Sequence, residues 1–287
     1  MCISAYLEAA KVLNLEATLH FAQRSLDRIL AEAWRPGRGL LHVIAYSDPA
    51  ATLREVPGML DDYAFVAVAC LDAYESTADL SYFRFAKSIT DAMVQKFYDP
   101  TSGGFFDSEI ATQDGTKALG VLGARRKPFQ DSPTPAGNSM AAIALLRMHG
   151  YTGDEGYRDK AEQTMEVFAG TAAQFGIFGA TYGIAGVHFS QPHTQVVVVG
   201  EGEDAERMCA IATEDFAFNK GVIRISSNKV IAQNLPPSLA QTIPGVPGVS
   251  SGTALAVVCS DFACQPPVSQ PEDLRNLLRV TLRKSAA

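Results

Sequence analysis

The feature that most constrains this chain is that residues 1–174 repeat themselves. Leu7, Phe21 and Ala22 align with Leu71, Phe85 and Ala86 at a constant offset of 64. Leu71, Asp79, Tyr82 and Ala86 align in turn with Leu146, Asp154, Tyr157 and Ala161 at an offset of 75. Units of this length hold two helices each. They are predicted to stack as helical hairpins, because one hairpin cannot bury its apolar face alone.

The two helices of a unit differ in pattern. Residues 63–73 and 139–146 are apolar nearly all round, as a helix packed between neighbours must be. Residues 82–97 are amphipathic: Phe85, Ala86, Ile89, Met93 and Phe97 recur every three or four positions, with Arg84, Lys87, Asp91 and Gln95 between them. An inner ring of buried helices and an outer ring of amphipathic ones predicts a mainly α fold, a partial α/α toroid of about three helical hairpins over residues 1–190. Residues 176–186 are Gly-rich and read as a broken final helix. Beyond them come predicted strands at 195–199, 221–225 and 254–258 and predicted helices at 205–213 and 271–282, a small α/β module over 191–287. Residues 235–252 carry four prolines and read as an irregular loop.

Composition narrows the function classes. With 287 residues, 47% of them hydrophobic, the chain can bury a large core. A net charge of -7, with no Lys/Arg run longer than Arg125-Arg126-Lys127, argues against nucleic acid and anionic membranes as partners. No apolar run approaches the roughly 20 residues that span a bilayer, and the start Met1-Cys2-Ile3-Ser4 lacks a basic leader, so the expected compartment is the cytoplasm. Five cysteines are an odd count in a long chain, which argues against a disulfide framework.

Connection lengths point to one end of the toroid. Inner-to-outer turns are short, at 14–16, 77–79 and 152–154, whereas outer-to-inner connections run over 35–60 and 99–136. Long connections tend to be functional. They gather where the inner helices begin, which places Asp61, Asp62 and Tyr63 beside Gly103, Gly104, Phe105, Phe106 and Asp107, and beside residues 134–139. Asp61, Asp62 and Asp107 form a candidate carboxylate cluster, able to act as general acid and base if their environments separate their pKa values. The plainer alternative is that one acid caps the helix, another is solvated and Asp107 ends a turn. His42, in the first long connection, is the best placed general base of the five histidines. Tyr63, Phe105, Phe106 and Asn138 are candidate contacts for a sugar or another flat small molecule; the aromatic side chains could equally pin the loops onto the helix ends.

The remaining motifs are weaker. His149 lies at the far end of its helix and reads as structural. His188 and His193 have no convincing metal-ligand spacing, so no metal is expected. Gly200-Glu201-Gly202-Glu203-Asp204-Ala205 has the form of a dinucleotide fingerprint, but three acids would crowd a pyrophosphate, and no cofactor is expected. Four residues, rather than two, lie between Cys259 and Cys264. The two cysteines read as a structural pair of thiols, with redox chemistry the less favoured alternative.

Four stretches in order, residues 57–65, 103–107, 132–139 and 259–268, resemble the C-terminal half of the thioredoxin-domain family typified by spermatogenesis-associated protein 20. That resemblance covers nearly the whole chain. It implies a fold similar to the six-hairpin toroids of N-acylglucosamine 2-epimerases and glycoside hydrolases. Two departures matter: the family's thioredoxin-like domain is absent, so its redox function does not carry over, and three hairpins stand where a closed ring needs six. The expectations are therefore a carbohydrate-directed enzyme, epimerase, isomerase or hydrolase-like, with a carboxylate-lined funnel. The alternative is a binding or scaffold module that self-associates or meets a partner chain at its open edge. A thiol-redox module is the least favoured.

Overall fold

The structure is a computed structural model that describes residues 1–44, 55–109 and 125–285. Residues 45–54 and 110–124, within the two long connections, lie outside the described residues. The chain is mainly α with a small α/β part.

Three hairpins open the chain, each where the repeat places it: α1 (Cys2–Leu13) with α2 (Glu16–Glu32), α3 (Leu60–Thr77) with α4 (Leu80–Phe97), and α5 (Gly137–Thr152) with α6 (Glu155–Ala169). The repeat is visible in the turns. Asn14, Ala78 and Gly153, at offsets of 64 and 75, end their helices in the left-handed conformation with φ of 54°, 53° and 70°. The next position in the second and third turns is an aspartate that caps the outer helix. Asp79 accepts the N–H of Ser81 at 2.8 Å, and Asp154 accepts that of Gly156 at 2.9 Å. In the first turn that position is Leu15, which offers no such bond.

The inner helices α1, α3 and α5 pack side by side, and each outer helix packs mainly on its own inner partner. This explains the two patterns: α3 and α5 are enclosed on most sides, while α4 and α6 keep a wet face. Adjacent outer helices are tied by repeat-equivalent bonds. Tyr82 donates to Asp27 at 2.8 Å, and Tyr157 donates to Asp91.

After α6 a 3₁₀ segment, Ala172–Gly179, kinks at Gly176 with φ of 51° and leads into α7 (Ala180–Ser190), the broken helix expected from the glycines. The α/β part follows: β3 (Thr194–Val199), α8 (Gly202–Glu214), β4 (Lys220–Ile225), β5 (Leu255–Ser260), β6 (Ala263–Cys264) and α10 (Pro271–Ser285). The sheet order is β4-β3-β5-β6, with β3 parallel to β4 and antiparallel to β5. β3 is buried along its whole length, which is why its sequence is a run of valines rather than an alternation. One face of the sheet, Val197, Val199, Ile223, Ile225 and Val257, joins the core of the hairpins. The other, Val196, Val198, Val222 and Ala256, is covered by α8 and α10. Secondary structure changes character near residue 190, but one apolar core runs across the change.

Three short elements were not expected. Residues 235–252 are not wholly irregular: prolines start the helix α9 (Pro237–Thr242) at its first turn, where a missing N–H costs nothing. A small hairpin, β1 (Trp34–Arg35) with β2 (Gly39–Leu40), and the two-residue β6 are too short for periodicity to announce. Among the described residues, no helix is long and apolar enough to cross a membrane.

Candidate functional site

The start of α3 is held by a folded strap. The N–H of Gly58 donates to Leu40 O at 2.8 Å, and that of His42 donates to Val56 O at 2.9 Å, so residues 56–58 run beside 40–42. Gly58 is required there, since a Cβ would lie 2.9 Å from Leu40 O. The phenol of Tyr63 accepts the N–H of Leu40 at 2.8 Å and fixes the strap from below. The strap carries His42 over the first turn of α3. Its Nδ1 lies 2.8 Å from Asp62 Oδ2. The Asp62 carboxylate also accepts the N–H of Met59 at 2.7 Å, the reach-back bond of a helix start.

The second long connection closes on the same place. The N–H of Leu60 donates to Asp107 O at 3.1 Å. The Asp107 carboxylate accepts from Ser108 Oγ at 3.0 Å and from the N–H of Arg126 at 3.1 Å. The third hairpin supplies the floor: Asp61 leans on Gly137 at the start of α5, where a Cβ would stand 2.1 Å from Asp61 Oδ1. Burial raises the pKa of Asp61, and the charges of Asp62 and Asp107 raise it further, against the opposing pull of His42.

Asp61, Asp62, Asp107 and His42 are thus brought to one place, with two distinct environments. Asp62 is engaged by an imidazole and a backbone N–H. Asp61 has no hydrogen-bond partner among the described residues, and its environment favours the protonated form. That is the arrangement in which one carboxyl donates a proton while a second orients a base. The cap reading applies as well, since Asp62 accepts the N–H of Met59 at the helix start while it touches His42.

The expected ligand contacts of Tyr63, Phe105 and Asn138 require correction in kind. These side chains are 1%, 0% and 1% exposed, so they are not available for direct contact with a ligand and instead hold the loops in place. Asn138 accepts the N–H of Phe105 at 2.7 Å and donates to the carbonyls of Phe105 and Pro128, both at 2.9 Å, which spends its amide. Phe105 packs edge-on to Tyr98. Phe106 is half-buried beneath the guanidinium of Arg125, 3.9 Å from its ring centre, so its face is already stacked. Arg125 and Lys127 stand out in sequence only as part of a basic triplet. In the structure Lys127 ties the loop ends by reaching Asp99 at 2.7 Å and Gly103 O at 2.5 Å.

The other singled-out residues lie at the opposite end of the inner helices. Cys259 and Cys264 are not a pair of thiols. They are joined by a disulfide between adjacent positions of β5 and β6, because the hairpin register sets them opposite each other. Cys2, Cys70 and Cys209 are free. His149, as expected of a structural residue, is buried, with Nδ1 3.2 Å from Asp154 O. His188 and His193 flank a buried ion cluster. Arg147 reaches Asp72 at 2.6 Å and Glu75 at 2.8 Å, and Tyr151 donates to Glu75 at 2.8 Å. Burial, and then the Arg147 charge, lowers His188 to about 3. Burial chiefly lowers His193 to about 4. Both imidazoles are neutral at physiological pH. Among the described residues no group of three His, Cys, Asp or Glu side chains could hold a metal ion.

No protein-family model matches the chain. It is 26% identical over 287 residues to human spermatogenesis-associated protein 20, covering 97% of this chain and 35% of that protein. The same protein of Rattus norvegicus gives the same identity and coverage. An uncharacterised protein of Caenorhabditis elegans is 25% identical over 226 residues, covering 78% of this chain and 29% of that one. The chain spans about a third of the length of these curated relatives. Over nearly all of its residues, the chain is homologous to spermatogenesis-associated protein 20, consistent with the C-terminal part of that family.

Proposed function

We propose that the end of the hairpin array bearing Asp61, Asp62, Asp107 and His42 is an acid–base site for a small hydroxylated ligand of the sugar class, catalysing epimerisation, isomerisation or hydrolysis. The observation that carries this reading is the 2.8 Å contact between His42 Nδ1 and Asp62 Oδ2 beside an Asp61 whose pKa is raised by burial and by the neighbouring carboxylates. Asp62 fixes the proton on Nδ1 and leaves Nε2 of His42, a half-exposed side chain, to take a proton from substrate. Asp61 returns a proton to an oxygen of the reacting group, and Asp107 sustains its raised pKa. Tyr63 and Asn138 are positioning residues that hold the strap and the second loop around this group.

The test is incubation with hexoses, N-acylhexosamines and glycosides in D₂O, followed by proton NMR. Exchange of a C–H signal, a new epimer or released aglycone is expected, abolished in His42→Asn and Asp61→Asn. The reading fails if no compound turns over and none shifts the thermal transition of the wild type.

A second reading, a non-catalytic module, is favoured by one observation. Tyr6, Val12, Leu13, Leu15 and Phe21 on the first hairpin are each 44% exposed or more. Apolar side chains gathered on one hairpin suit burial against a further helical hairpin, from a second copy or a partner. Sedimentation showing a monomer at every concentration would count against self-association.

A further inference from the structure

We propose that the cavity at the seam between the third hairpin and the sheet is a thiol–disulfide exchange site, in which a small thiol reduces the Cys259–Cys264 bond. The cavity, about 220 Å³, is lined by both cysteines of that disulfide and by His149, His188 and His193. Its size suits a small molecule. It is separate from the Asp61–His42 group and independent of the function proposed for it.

The disulfide is reachable from one side. Cys264 is exposed at the sheet edge, whereas Cys259 is 5% exposed on β5. An incoming thiolate therefore meets Cys264 Sγ and expels Cys259 toward the cavity. The turn joining the two strands, Asp261-Phe262, holds both residues in the left-handed region, at φ of 49° and 63°. For a bulky aromatic residue that conformation is strained. It sets Phe262 edge-on against His149, with ring centres 5.2 Å apart, so the turn forms part of the cavity wall.

Two of the histidines touch the disulfide turn, His149 through its ring and His193 through its backbone. The carbonyl of Asp154 can only accept, so His149 carries its proton on Nδ1 and keeps a lone pair on Nε2. His193 lies against Gly150, where a Cβ would stand 2.5 Å from its ring. Its Nε2 is buried with no hydrogen-bond partner among the described residues, which is costly unless something visits it. The backbone carbonyl of His193 accepts the N–H of Asp261 at 3.1 Å and ties this histidine to the disulfide turn.

The exchange balances as follows. A thiol R–SH gives its proton to Nε2 of His149, and the thiolate bonds to Cys264 Sγ. The sulfur–sulfur bond breaks with its electron pair on Cys259, which takes the proton back from the imidazolium. A second thiol attacks the mixed disulfide, releasing R–S–S–R and the Cys264 thiol. Two thiols are oxidised and one protein disulfide is reduced.

The test starts from protein purified without reductant. Thiol titration in denaturant should find three free cysteines, Cys2, Cys70 and Cys209, and all five after treatment of the folded protein with dithiothreitol. Reduction should be complete while circular dichroism remains native. Cys259→Ser leaves Cys264 as a free thiol and should capture a mixed disulfide from the oxidised reagent bis(2-hydroxyethyl) disulfide, with release of 2-mercaptoethanol, visible by mass spectrometry. His149→Gln should slow reduction about tenfold at pH 7 and less at pH 9, where the thiol ionises unaided. Five thiols in untreated protein would overturn the proposal, as would a bond that opens only on unfolding. An unaltered rate in His149→Gln would remove the imidazole from the mechanism and with it the site.

Discussion

His42 and Asp62 are twenty residues apart in sequence and 2.8 Å apart in space, joined by a strap that exists because Gly58 lets residues 56–58 lie against Leu40. The bond is half-exposed, so its direct contribution to stability is small, roughly 0.5–1 kcal/mol. Its effect on chemistry should be much larger, because it sets the tautomer of the base. Asp62→Asn is expected to lower turnover of any substrate found about a hundredfold or more, with a urea midpoint close to the wild type. A loss of activity that merely tracks loss of fold would contradict the assignment.

Asp61 makes the opposite prediction for stability. Its pKa is raised by burial and by neighbouring carboxylates, so between the unfolded value and the folded one the native state binds more protons than the unfolded state. Its contribution to stability therefore falls as pH rises through the folded pKa. Asp61→Asn removes that term and is expected to raise stability at pH 7 by up to about 1 kcal/mol, with the gain fading toward pH 3. Urea unfolding at both pH values measures it.

Ala78 occupies a position that its repeat partners fill with Asn14 and Gly153, all three with positive φ. Asparagine and glycine tolerate that conformation and alanine does not. Ala78→Gly is therefore expected to stabilise the fold by about 0.5–1 kcal/mol, whereas Gly153→Ala should destabilise it by a similar amount or more. Thermal unfolding of the pair, with opposite signs, checks this directly.

These examples show what was legible in the sequence. The offsets of 64 and 75 carried real structure: helix ends, the caps Asp79 and Asp154, and the bonds of Tyr82 and Tyr157 all fall at equivalent positions. The gathering of Asp61, Asp62, Asp107 and His42 followed from connection lengths. The role of Asn138 was not legible, because a side chain spending its whole amide on two loops looks in sequence like any polar residue near a helix start. The disulfide escaped because it depends on a register, with Cys259 opposite Cys264, that a two-residue strand does not announce. The buried ion cluster was present in the repeat but unread: Asp72 and Arg147 are equivalent at the offset of 75, and so are Glu75 and Gly150.

That last equivalence carries the largest stability prediction. Lys11, Glu75 and Gly150 occupy one repeat position, and at the third unit the missing side chain leaves room for the ring of His193. Burial alone would raise the pKa of Glu75, but Arg147 and Lys11 overcome it and hold the carboxyl below its ordinary value. Glu75 is thus ionised, buried and dependent on Arg147, which sits between it and Asp72. Glu75→Gln leaves the Arg147 guanidinium buried with Asp72 alone and deprives the Tyr151 hydroxyl of a charged acceptor. The expected cost is roughly 3 kcal/mol, the order found when one member of a buried pair is removed. Replacing both ions, as Glu75→Gln with Arg147→Met, should cost less than the two single changes added together, because the Glu75–Arg147 pair leaves as a unit and only the partly exposed Asp72 carboxylate loses its partner. Strict additivity in a urea double-mutant cycle would show that the pair is not coupled.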